Sequence, residues 1–176
     1  MLSIMLAGVF FLLCAFACLK DATSLTIPNW VNIGIVLAFV PAAIVGLITL
    51  DTVTFATIGW HIAVAFITFV VCFLLFCFNA FGGGDAKLIP AIALWVGPTG
   101  LMHFLAGTAI SGGVVALAVL LVRSTVPEPF APGFVRAREE GGKGVPYGVA
   151  ISAGAVVGGF GSPFLINFLS LFSHLN

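Results

Sequence analysis

Asp85 follows three consecutive glycines in the stretch FGGGDAK, Phe81 to Lys87, and Asp21 closes a long apolar run just after Lys20. Only six Asp or Glu and six Lys or Arg occur among 176 residues, so each carboxylate in an apolar setting calls for a physical reason. Two facing carboxylates offer acid–base chemistry: like charges about 3 Å apart cannot both ionise, so one stays protonated while the other acts as base on a water. Such a pair titrates as a unit. The glycines Gly82, Gly83 and Gly84 suit the same use, because residues without Cβ allow sharp turning and close approach of a substrate backbone. A phosphate loop is a poorer description, since the string lacks both the G-x-x-x-x-G-K-[ST] order and the last glycine of G-x-G-x-x-G.

Whether Asp21 and Asp85 can meet depends on the elements that carry them. The chain is 61% hydrophobic and 7% charged, with a mean hydropathy of +1.28. An ordinary soluble domain carries about 25% charged residues. Splitting the chain at its charges leaves uncharged runs at Met1–Leu19, Ala22–Leu50, Thr52–Gly84, Leu88–Val122 and Gly144–Asn176. Each reaches the roughly 18–20 residues that span a bilayer as a helix. Backbone groups in lipid must pair internally, and no strand-like alternation is present, so the expected fold is an all-α polytopic membrane protein. The first run lacks a basic leader and is followed by Lys20-Asp21 where a small-residue cleavage site would stand, so it reads as a retained span.

The pattern predicts six transmembrane helices in one domain over residues 1–176: Met1 to about Lys20, Trp30 to Leu50, Ile58 to Phe78, a short fourth helix, a fifth up to Val122, and a sixth from Pro146. The break between the fourth and fifth is placed at Gly97-Pro98-Thr99-Gly100. A polar loop fills about 123–145. With this count all six basic residues, Lys20, Lys87, Arg123, Arg136, Arg138 and Lys143, fall on one face. By the positive-inside rule that face is cytoplasmic and both termini are outside. Asp21 and Asp85 then reach the same cytoplasmic boundary, where ionisable groups are functional candidates.

Zero net charge and a pI near 6.8 leave no electrostatic footprint for nucleic acid, and the lipid bilayer is the expected surrounding. Cys14, Cys18, Cys72 and Cys77 sit in apolar runs at C-x3-C and C-x4-C spacing, which reads as small buried hydrophobes and gives no metal site. His61, His103 and His174 lie toward the outer face without acidic partners, and no cofactor is expected. Gly148, Ser152, Ala155 and Gly159, with Gly154 and Gly158, form small-residue faces suited to helix packing. Asn29, Asn79 and Tyr147 could hydrogen-bond a substrate strand, and Lys87 could hold a lipid phosphate or tune the aspartates.

Gly82-Gly83-Gly84-Asp85-Ala-Lys87-Leu followed by Leu94-Trp95-Val-Gly97 resembles the GxGD motif of type IV prepilin peptidases, particularly the short forms of Flp/Tad pili. Asp21 with Ile27-Pro28-Asn29, and Val145-Pro146-Tyr147-Gly148, resemble two further motifs of that family in the same order. The resemblance implies that Asp21 and Asp85 are catalytic, with Gly82, Gly83, Gly84, Lys87, Asn29 and Tyr147 in supporting or substrate-binding roles. It implies an aspartic endopeptidase in the bacterial inner membrane that removes the leader of a prepilin-like substrate. Two departures stand out. Basic residues common before Ile-Pro-Asn are replaced by Ala-Thr-Ser-Leu-Thr, and the cysteine-paired cytosolic domain is lacking, which implies cleavage without N-methylation. The residues alone also admit a proton- or cation-coupled transporter, which would need carboxylates near the midplane or an inverted repeat, and a noncatalytic pilus-assembly scaffold.

The topology makes a direct prediction. In a background without native cysteines, a membrane-impermeant thiol reagent added outside modifies Asp51→Cys and leaves Glu139→Cys untouched. The reverse labelling would overturn the orientation.

Overall fold

A computed structural model describes residues 2–125 and 145–170. The described residues form an all-α polytopic membrane protein. Helix α1 spans Leu2–Ser24, α2 Asn29–Thr49, α3 Phe55–Cys77, α4 Asp85–Thr125, α5 Tyr147–Phe160 and α6 Pro163–Ser170. Four of them, α1 to α4, are long and apolar enough to cross a membrane, and the bent pair α5–α6 makes up to five. The loop expected at 123–145 lies almost wholly outside the described residues, as does His174.

The links follow from local chemistry. Helix α1 runs one turn beyond the expected stop at Lys20, because the Thr23 and Ser24 hydroxyls bond back to the carbonyls of Leu19 and Lys20 at 2.8 Å and satisfy themselves inside the helix. It stops at Leu25, whose φ of 51° leaves the helical region, and Pro28 holds the chain extended before α2 begins. At the other end of the bundle, Thr54 caps α3 through a reciprocal box with Thr57, two hydroxyl-bearing residues satisfying the free N–H groups. That places the start of α3 at Phe55, three residues before the expected Ile58.

Helix α4 is broken at Gly97, where φ is 64° and ψ −170°, as the Gly97-Pro98 pair predicts. The short arm, 85–96, is the centre of the protein. Ala86 and every residue from Leu88 to Gly97 are buried, which suits a segment apolar on all sides. Trp95 anchors it: the indole N–H donates to the Ile35 carbonyl at 2.8 Å and the ring stacks on Phe10 at 4.7 Å. His61 of α3 bonds the Leu94 carbonyl at 2.8 Å through Nδ1, bracing the turn before the kink.

The long arm, 98–125, turns back along α5, and glycine lets them touch. A Cβ on Gly154 would lie 2.8 Å from the Phe104 carbonyl oxygen, and one on Gly158 would lie 2.6 Å from the Phe104 Cβ. Membrane helices gain contact by such close approach, as the small-residue pattern implies. The other face of α5 meets α1, where the Ser152 hydroxyl donates to the Cys14 carbonyl at 2.9 Å. Two readings of the sequence are corrected. The sixth helix is not continuous but bends by 79° between α5 and α6, where Gly161 and Ser162 precede Pro163. Cys14 and Cys72 are buried, but Cys77, the last residue of α3, is exposed, like most residues of that helix.

The kink supplies a test. Gly97→Ala combines a left-handed φ with a Cβ that would overlap the His61 ring, so it should destabilise the protein by about 2–3 kcal/mol. The readout is a fall of several degrees in apparent Tm of the detergent-solubilised protein. An unchanged Tm would contradict this reading of the kink.

Candidate active site

Asp21 sits in the last turn of α1 and is only 6% exposed. Its Oδ2 accepts a hydrogen bond from the Gly148 N–H at 2.6 Å, and the Val149 N–H is directed to the same carboxyl. These N–H groups belong to the first turn of α5, which begins after Pro146 and has no side-chain cap of its own. The first N–H groups of a helix lack intrahelical acceptors, and its dipole favours negative charge there. A carboxylate from α1 therefore caps α5 from outside. Glycine at position 148 is required for it: a Cβ there would lie 2.8 Å from the Asp21 Cβ.

Asp85 is the first residue of α4, as the sequence implies, and is partly buried. The Ala86 N–H donates to the Gly82 carbonyl and the Leu88 N–H to the Gly84 carbonyl, so the glycine loop winds directly into the helix. None of the three glycines has a positive φ; in this link the left-handed residue is Asn79, at φ 55°. The glycines serve close approach instead. A Cβ on Gly82 would lie 3.3 Å from Asp85 Oδ2, and one on Gly84 would lie 3.3 Å from the Ile27 Cβ.

Asp21 and Asp85 line one recess of about 680 Å³. Gly82, Gly83, Gly84, Asn79 and Tyr147 line it as well, together with Leu25 to Ile27. Three separated parts of the chain thus converge: the end of α1, the loop before α4 and the start of α5. Lys87 and Asn29 are elsewhere. The Lys87 ammonium donates to Asn29 Oδ1 at 2.9 Å, tying α4 to α2 beside the recess rather than within it. Tyr147, half exposed, stands at the rim. The sequence reading missed Gly148, which it assigned to helix packing. Proline followed by glycine marks a helix start with free N–H groups, but only the folded chain identifies the carboxylate they receive.

A recess holding two carboxyls, one anchored on a helix N-terminus and one at the start of a buried helix, can hold a water and move protons in both directions. Its geometry generates one prediction. Gly148→Ala should push Asp21 away from α5 and lower the apparent Tm by several degrees, whereas Gly113→Ala, whose Cβ would meet nothing within 4 Å, should leave it unchanged or raised. Equal effects at the two positions would contradict the capping role.

A model of the type IV leader peptidase family matches residues 8–117, a span that contains Asp21, Asp85 and the whole FGGGDAK loop. Neither the search of curated proteins nor that of solved structures gives a match. The family match covers well over half the chain and coincides with two of the three segments that build the recess, and the chain belongs to the type IV leader peptidase family.

Proposed function

We propose that the protein is an aspartic endopeptidase that removes the short leader of type IV or Flp-like prepilins at the cytoplasmic boundary of the bacterial inner membrane, with Asp21 and Asp85 as its catalytic residues. The observation that carries this reading is the presence of both carboxyls in one recess, in a chain of the leader peptidase family. One carboxylate takes a proton from a water as that water attacks the scissile carbonyl, and the other, protonated, donates to the carbonyl oxygen. Collapse of the tetrahedral intermediate breaks the C–N bond: the proton taken from water passes to the leaving amine, and a hydroxyl of the intermediate gives its proton to the other carboxylate as the new carboxyl forms, so the pair again shares one proton. A metal is not required at any step of this cycle.

The glycine loop leaves room for an extended peptide beside Asp85, and Tyr147 at the rim is placed to hydrogen-bond it. Lys20 and Lys87 belong to the end of the bundle that carries the recess, while Asp51 follows α2 at the opposite end. The positive-inside rule then puts the recess at the cytoplasmic face. A precursor with a cytoplasmic leader followed at once by an apolar helix would present its cleavage point at that level.

The test is coexpression with a Flp-type precursor, followed by the ratio of uncut to mature product at matched enzyme levels. Asp21→Asn and Asp85→Asn preserve size but remove ionisation, and each should lower processing by about a thousandfold or more. Asp51→Asn should cleave normally. A well-expressed Asp85→Asn enzyme that still cuts at the normal rate would refute the mechanism.

A further inference from the structure

The two carboxyls of the recess are held differently, and the difference lies in where backbone N–H groups go. Each stands at the start of a helix, Asp21 against α5 and Asp85 on α4 itself. At α5 the leading N–H is given to the carboxyl: Gly148 donates to Asp21 Oδ2 at 2.6 Å, as short as charge-assisted bonds run, and the Val149 N–H is directed to the same group. At α4 the corresponding N–H groups are already taken. An aspartate at a helix start ordinarily caps the N–H groups two or three residues on. Here those of Lys87 and Leu88 donate to the Gly84 carbonyl at 3.2 and 3.0 Å, and that of Ala86 to the Gly82 carbonyl at 3.0 Å. No described residue donates a hydrogen bond to the Asp85 carboxyl. Its neighbours Gly82 and Gly84 bring no side-chain donor, and Ile27 packs on Gly84.

We propose that the recess is asymmetric before substrate arrives: Asp21 is the carboxylate that takes the proton of the attacking water, and Asp85 is the protonated acid that donates to the scissile carbonyl. The inference rests on the peptidase reading above and assigns its two roles. Hydrogen bonds ending on a carboxylate favour the charged form, and a partly buried carboxyl without a donor favours the neutral one. Two effects oppose this order. Asp21 is the more buried of the two, and the α4 dipole favours charge on Asp85. Direct donation outweighs them, because the N–H groups through which α4 would stabilise Asp85 are turned to the glycine carbonyls. Neither nearby ammonium joins the pair: Lys87 bonds Asn29, and Lys20 lies over the Phe16 ring. In the step so assigned, an Asp21 oxygen accepts a water proton as the water oxygen bonds the carbonyl carbon, and the Asp85 proton moves to the carbonyl oxygen. As the C–N bond breaks, Asp21 passes its proton to the amine and a hydroxyl of the intermediate returns one to Asp85. Each residue ends in the state in which it began, so no proton crosses between them before the next turnover. The scissile carbonyl oxygen then points to the glycine loop, where a Cβ on Gly82 would stand 3.3 Å from Asp85 Oδ2.

The experiment reads the proton and the roles separately. Infrared difference spectra, wild type minus variant, are recorded on the purified full-length protein without substrate at neutral pH, in H2O and in D2O. Asp85→Asn should remove a protonated-carboxyl C=O stretch that shifts in D2O, whereas Asp21→Asn should remove a carboxylate stretch and leave the acid band in place. An acid band that is absent from the wild type, lost in Asp21→Asn, or lost equally in both variants would overturn the assignment. The same two variants are compared on a Flp-type precursor under single-turnover conditions. Asparagine at position 21 can still accept the Gly148 N–H but offers the water no base, while asparagine at position 85 can still donate to the carbonyl oxygen. Asp85→Asn should therefore cut about tenfold faster than Asp21→Asn, both far below wild type. Equal residual rates, or the reverse order, would contradict the roles while leaving the peptidase reading intact. If the wild-type chain cuts no precursor, the peptidase reading fails and the roles fall with it, whichever carboxyl the infrared band belongs to.

Discussion

The hydrogen bond from the Gly148 N–H to Asp21 joins the first long helix to the fifth at the end of the bundle where the recess opens. It satisfies a helix N-terminus that lies in an apolar protein with no cap of its own, and in doing so it fixes the carboxyl of Asp21. In lipid an unsatisfied N–H is expensive, so capping and positioning become one requirement. Gly148 is small because Asp21 must come this close, and Ser152, one turn further along α5, continues the junction by bonding the Cys14 carbonyl. The same helix presents Gly154 and Gly158 to the long arm of α4. Helix α5 is thus wedged between α1 and α4, and its N-terminus carries one side of the recess.

The other side depends on burial. The short arm of α4 has no polar residue beyond Lys87 up to the kink, and it occupies the middle of the bundle. Trp95 and the His61–Leu94 bond fix its far end, so Asp85 stands at the near end of a helix that cannot shift easily. Asp85 therefore takes its position from apolar packing along a whole helix, and Asp21 from a polar contact at a helix end.

Much of this was legible in the sequence where a single residue type has one physical meaning. The Gly97-Pro98 pair marked the kink, the charge-poor runs marked the helices, and the spacing of small residues marked the face of α5 that packs. The polar residues were harder to place. Thr23 and Ser24 read as loop but close a helical turn, because their hydroxyls find carbonyls one turn back. The bend before Pro163 carried a Gly-Ser-Pro signal that hydropathy alone overrode. The convergence of Asp21 with Gly148, and of Lys87 with Asn29, is tertiary: each partner looks ordinary in its own segment, and only the packing of helices distant in sequence brings them together.

The central claim is that Asp21 and Asp85 act as one unit on one water, and a kinetic cycle on the purified enzyme measures this most directly. The residual cleavage rates of Asp21→Asn, Asp85→Asn and the double variant are compared under single-turnover conditions with prolonged sampling. A shared role predicts that the double variant is no slower than the slower single variant, because losing either carboxyl already removes the whole acid–base function. Rate losses that multiply in the double variant would show two independent contributions and contradict the dyad.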